Sequence, residues 1–89
     1  MLHFEDLWQK AESFHKNSDD SAKDILEELT LKVCLYKAIE QRSEISEKDK
    51  KEARSHLLGE ILFTLTKLSL KEDINVFESL QIILMQQKD

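Results

Sequence analysis

The stretch HLLGEILFTL, residues 56–65, decides the fold. It is an apolar helical run broken by one acid, Glu60, which directly follows Gly59, the only glycine in the chain. Working outward, Ala53, Leu57, Ile61, Leu65 and Leu68 recur at three- and four-residue steps, the period of a helix and not of a strand. Leu58, Leu62 and Phe63 widen this stripe beyond the roughly 100° of an ordinary surface helix. A helix over residues 47–70 that meets neighbours on two sides is therefore predicted, and it is expected to be central.

The flanking sequence repeats the pattern. Phe4, Leu7, Trp8, Ala11 and Phe14 share one face of a predicted helix 3–16, which ends at the turn-rich cluster NSDDS. Ala22, Ile25, Leu26, Leu29, Val33, Tyr36 and Ile39 give a second helix, 21–41, with Asp20 or Ser21 available to accept the unpaired N–H groups of its first turn. Ser46 and Asp49 approximate a capping box for helix 47–70, and Asn75 with Glu78 opens a fourth helix, 76–87, bearing Val76, Phe77, Leu80, Ile83 and Leu84. The link between the second and third helices is short, so they should form a long antiparallel αα-hairpin. The outer helices would pack on it as a four-helix arrangement with shallow crossings, completed by oligomerisation.

Composition agrees. A chain of 89 residues is one domain, and at this size only about 60 to 65% of the unfolded surface is buried, so association with other copies would help it. With 40% hydrophobic and 35% charged residues, no proline and one glycine, the fold class is all-α. The net charge of -5, with lysines dispersed among acids, offers no footprint for nucleic acid. The start MLHFEDLWQK lacks the pattern of a secretory signal, no apolar run reaches a bilayer span, and the single Cys34 has no partner for a bridge within the chain. A cytoplasmic protein without membrane attachment is expected.

Several side chains have the type needed for chemistry. Asp24, Glu27 and Glu28 lie within one turn, and His56 and Glu60, four apart, share a face. Counting along the hairpin sets Glu60 opposite residues 28–31. Carboxylates converging from facing helices hold hard cations such as Mg²⁺ or Mn²⁺, which then polarise a phosphate or activate water. The alternative for Glu60 is an ion pair with Lys32, Lys37, Arg54 or Lys67. Acids early in the second helix are equally explained by the helix dipole. His56 reads as a partly exposed helix residue, and His3 and His15 have no metal spacing. Cys34 reads as an inert, partly buried thiol. Trp8 and Tyr36 are core aromatics or a platform for a nucleobase. Gly59, which costs about 1 kcal/mol against alanine inside a helix, suggests a close approach to the backbone there.

The segments ILEELTLKVCLYKAI, ARSHLLGEILFTLTKL and EDINVFESLQIIL together resemble the all-α nucleoside triphosphate pyrophosphohydrolases, the MazG-like proteins and phosphoribosyl-ATP pyrophosphatase among them. The nearest part is LLGEILFTLTKLSLKEDINVFESL, similar to that family's third helix, short turn and last-helix opening. The resemblance implies Mg²⁺ held by E-x-x-E on the second helix and E-x-x-D on the third, and cleavage of an NTP to NMP and pyrophosphate. Carried over, Glu28 and Glu60 match two ligands, whereas the other two positions are Leu31 and Leu57. Asp24, Glu27 or His56 would have to compensate, and Lys32 and Lys37 are the nearest candidates for the phosphates. The expectation is thus a MazG-like pyrophosphohydrolase relative with an eroded metal site. Its alternative is a non-enzymatic helical dimerisation or partner-binding module.

Overall fold

The computed structural model describes residues 3–87, and these form four helices with no strand among them: α1 (Phe4–Ser13), α2 (Ala22–Glu40), α3 (Glu47–Glu72) and α4 (Val76–Gln86). The starts of the last three follow from their caps. The Ser21 hydroxyl accepts from the Asp24 N–H at 3.1 Å, and the Asp24 carboxylate accepts from the Ser21 N–H at 3.4 Å, closing a reciprocal capping box. Ser46 accepts from the Asp49 N–H at 3.2 Å. Asn75 accepts from the N–H groups of Phe77 and Glu78 at 3.0 and 3.2 Å.

The helix ends deviate more from the sequence reading. α1 stops at Ser13 instead of residue 16, and Phe14 to Asn17 form a turn in which the His15 N–H reaches the Glu12 carbonyl. α3 continues to Glu72, past the expected 70, and ends where Asp73 takes the left-handed conformation at φ 53°. The Ile74 N–H then donates to the Ser69 carbonyl at 3.0 Å and the Asp73 N–H to that of Leu70 at 3.3 Å, the pair of bonds that glycine usually permits at a helix end. Aspartate tolerates this geometry better than most residues, so no glycine marks the stop.

α2 and α3 run antiparallel. Their cross-helix pairs, Glu28 with Lys67, Lys32 with Thr64 and Glu40 with Arg54, move in opposite directions along the two helices. The seam on α2 follows Ile25, Leu29, Lys32, Tyr36 and Ile39, and that on α3 follows Lys50, Arg54, Leu57, Ile61, Thr64 and Leu68, all buried or half-buried. Steps of four and three alternate on both, the 3.5-residue repeat of paired helices. Polar residues hold four of these seam positions, and Leu26 and Val33, expected inside, are exposed because α2 packs chiefly on α3.

α1 packs on α3, and α4 is tied back through an aromatic cluster in which Phe4, Trp8 and Phe77 have ring centroids 6.0 to 6.1 Å apart. α4 itself contributes no buried residue. The large apolar side chains that are buried are Trp8, Ile25 and Leu57, whereas seventeen others among the described residues are exposed. The radius of gyration is 15.4 Å, against about 12 Å for a closed domain of this length. No helix among the described residues is long and apolar enough to cross a membrane.

Candidate functional site

The acids singled out as ligands do not meet. Lys67 Nζ lies 3.1 Å from Glu28 Oε2 and 3.0 Å from Asp20 Oδ2, and Lys32 Nζ lies 3.6 Å from Glu28 Oε1. Both oxygens of Glu28 thus face ammonium groups. Glu60 pairs along its own helix, with His56 Nε2 3.0 Å from its Oε1, and not with Lys32, Lys37, Arg54 or Lys67. Since Glu28 is level with Lys67, seven residues beyond Glu60, the two acids are offset by about 10 Å along the hairpin. This corrects the count that set Glu60 opposite residues 28–31. The chain pairs one to two turns further along α3 than that count assumed.

The remaining candidates have other occupations. Asp24 is spent on the capping box. Glu27 is exposed and lines a shallow surface cleft with Lys23, Leu26 and Thr30. Lys32 sits in the seam, where its ammonium donates to Thr64 Oγ1 at 2.8 Å, and Lys37 is exposed about 140° further round α2. A hard cation needs several oxygens converging at one point. Among the described residues no group of three or more His, Cys, Asp or Glu side chains could hold a metal ion. The residues present therefore do not fit Mg²⁺ or Mn²⁺, and no step through such an ion follows.

What the fold does assemble is a polar belt where α1, α2 and the last turns of α3 meet. Lys67, with only 16% of its side chain exposed, is its centre. Its hydrogen bond to Asp20 raises its pKa; burial opposes this, and Glu28 reinforces it, so the amine stays charged. Beside it the Ser69 hydroxyl lies 3.2 Å from Glu12 Oε2 and 3.0 Å from the Thr66 carbonyl, and buried Thr66 donates to the Phe63 carbonyl at 2.6 Å. His15 is nine-tenths buried, its ring centroid 4.5 Å from that of Phe63. Its Nε2 is buried without a hydrogen-bond partner. Burial lowers its pKa, as does nearby Lys67, against the raising influence of the Phe63 carbonyl, Glu28 and Asp20.

The sequence reading missed Asp20, Lys67, Ser69 and His15 as a group. One signal was available: Thr64, Thr66, Lys67 and Ser69 interrupt the apolar run of α3 within about one and a half turns. Other expectations are revised. Cys34 is exposed, since α2 turns that face to solvent. Gly59 has nothing within 4 Å of where a Cβ would stand, so no close approach within the chain explains it. Trp8 is core, packed against Phe4 and Phe77. Comparison with protein-family models, with curated proteins and with solved structures finds no match to this chain.

Proposed function

We propose that this chain is a helical assembly module whose partner is a second copy of itself, with a core that closes only on pairing. The observation that carries the reading is surface area. The chain exposes 7285 Å², whereas a folded monomer of 10.5 kDa exposes about 5,400 Å². The surplus of roughly 1,900 Å² per chain matches what an obligate homodimer removes from each protomer.

The surplus is apolar where it matters. A cleft of about 400 Å³ between α1, α3 and α4 is walled by Phe4, Trp8, Leu62, Leu65, Phe77 and Leu80 with little polar surface. α4 extends from it carrying exposed Ile82, Ile83, Leu84 and Met85. Patches of this extent on a monomer mark an interface. The half-polar α2–α3 seam points the same way, because a hairpin holding Lys32, Thr64, Lys50 and Arg54 between its helices gains little from burial.

The resemblance to MazG-like proteins enters this proposal as one of helix order and helix-start signals. Mg²⁺, nucleotide and pyrophosphate release are left out of it, because Glu28 is engaged by Lys67 and Lys32. Sedimentation velocity across the micromolar range tests it. A dimer or larger species with a melting temperature that rises with concentration is expected. A cooperatively melting monomer at the highest concentration would overturn it.

A further inference from the structure

At the same end of the hairpin as the apolar cleft of α4, but lined by other residues, a second cavity of about 210 Å³ opens between the α1–α2 turn and the last turns of α3. Its lining is unlike the rest of the surface: Lys16, Lys67 and Lys71 supply three ammonium groups, Ser18 a hydroxyl, His15 an imidazole and Asp20 the one carboxylate. In a chain of net charge -5 this is a local excess of positive charge. Glu28, outside the lining, shares Lys67. Lys16 and Lys71 therefore supply most of the uncompensated charge. The volume far exceeds the roughly 10 to 15 Å³ that one water requires.

The geometry points to this cavity as a binding site for a phosphate group, held by Lys16, Lys71 and Lys67 with His15 and Ser18 donating beside them. The independent observation is the buried Nε2 of His15. A nitrogen removed from water without a partner costs about 1 to 3 kcal/mol, and an imidazole that lines a lysine-rich cavity recovers this when its ring tilts to present the Nε2–H to an oxyanion there. Phosphate suits the site better than a carboxylate because it offers oxygens to three or more donors at once. The ligand would displace Asp20 from part of its hold on Lys67, leaving Glu28 as the amine's second partner. The site is independent of self-assembly, since none of its lining residues walls the cleft of α4.

Titration of the full chain with inorganic phosphate, followed by NMR of the histidine side chains against chloride at matched ionic strength, tests this. Phosphate is expected to shift the His15 ring resonances saturably and to move its protonation midpoint upward, while His3 and His56 respond as they do to chloride. Lys16→Gln combined with Lys71→Gln alters two surface side chains and should weaken binding at least tenfold without unfolding the protein. A phosphomonoester binding as tightly as inorganic phosphate would mark the ligand as a phosphorylated molecule, and its exclusion would mark free phosphate. Equal shifts by phosphate and chloride, or undiminished binding by the double variant, would overturn the assignment.

Discussion

Lys67 Nζ stands 3.1 Å from Glu28 Oε2, so the acid that the MazG-like resemblance would make a ligand is neutralised by an amine from the facing helix. The same amine reaches Asp20 at 3.0 Å and thereby ties the α1–α2 turn to the hairpin. One side chain thus explains both why α2 and α3 adopt their register and why a cation has no place beside Glu28. Replacing the amine by an apolar group of similar length leaves two carboxylates facing a half-buried methyl. Lys67→Met is expected to destabilise the fold by about 1 to 2 kcal/mol, the cost of stranding hydrogen-bonded charges at a partly buried site. Urea denaturation measures it, and a change below a few tenths of a kcal/mol would show that the pairs are ornamental. Glu28→Gln, which keeps a hydrogen-bond acceptor, should cost less.

His15 makes stability depend on pH in a defined direction. Its pKa in the folded chain lies below the ordinary 6.5, mainly because burial disfavours the charged ring and next because Lys67 repels it. The unfolded chain therefore binds the proton more readily. The sign is that stability is full above the unfolded pKa and falls as pH drops through 6.5 toward the folded value. Lys67 opposes protonation of the ring, while the Phe63 carbonyl, Glu28 and Asp20 favour it, and Lys16 and Lys71 line the same cavity. Thermal melts between about pH 7.5 and 5.5 should show the fall, and His15→Gln should flatten it. An identical profile in the variant would assign the pH dependence to other groups.

Much of this fold was legible because it is written in local signals. Ser21, Ser46 and Asn75 are cap residues before apolar-periodic runs, and all three open helices as read. The end of α3 was not legible, since Asp73 does there what a glycine would normally do. The partition of each helix surface was less legible still. Periodicity groups Leu26 and Val33 with Ile25 on one apolar face, but whether such a face is covered depends on how many neighbours the helix has, which no single helix encodes. The candidate site failed for a related reason. Glu28 and Glu60 have the right chemistry, and their distance is fixed by a hairpin register that Lys67 and Thr64 set from the other helix.

Ser21→Ala isolates a local contribution. The hydroxyl accepts from Asp24, and the Asp24 carboxylate returns the bond, so the substitution removes one half of the box and loosens the other. A loss of about 1 kcal/mol is expected from denaturant midpoints. Asp24→Ala should cost a comparable amount, as a capping residue would, and adding millimolar Mg²⁺ should leave its stability and that of the wild type unchanged.

Gly59→Ala reports on the surface of α3 between α1 and solvent. A Cβ at this position meets open space within the chain, so only the backbone entropy of glycine is at stake. The variant should be more stable by up to about 1 kcal/mol. A loss instead, seen only at concentrations where the protein is assembled, would mean that a neighbouring copy seats its backbone on this point.

Leu80→Glu separates assembly from folding. Leu80 is 55% exposed and lies at the mouth of the apolar cleft with Phe77, on a helix that buries nothing of its own. In an isolated chain a polar replacement at so exposed a position changes stability by about 0.5 kcal/mol or less. In an assembly that covers the cleft, the same change places an unpaired carboxylate against apolar surface, and the association free energy falls by several kcal/mol. The variant is therefore expected to sediment as a smaller species than the wild type and to lose the concentration dependence of its melting temperature. Lys51→Glu, an exposed charge reversal away from the cleft, serves as the control and should keep both. If Leu80→Glu behaves like Lys51→Glu, the cleft is not the surface through which copies meet.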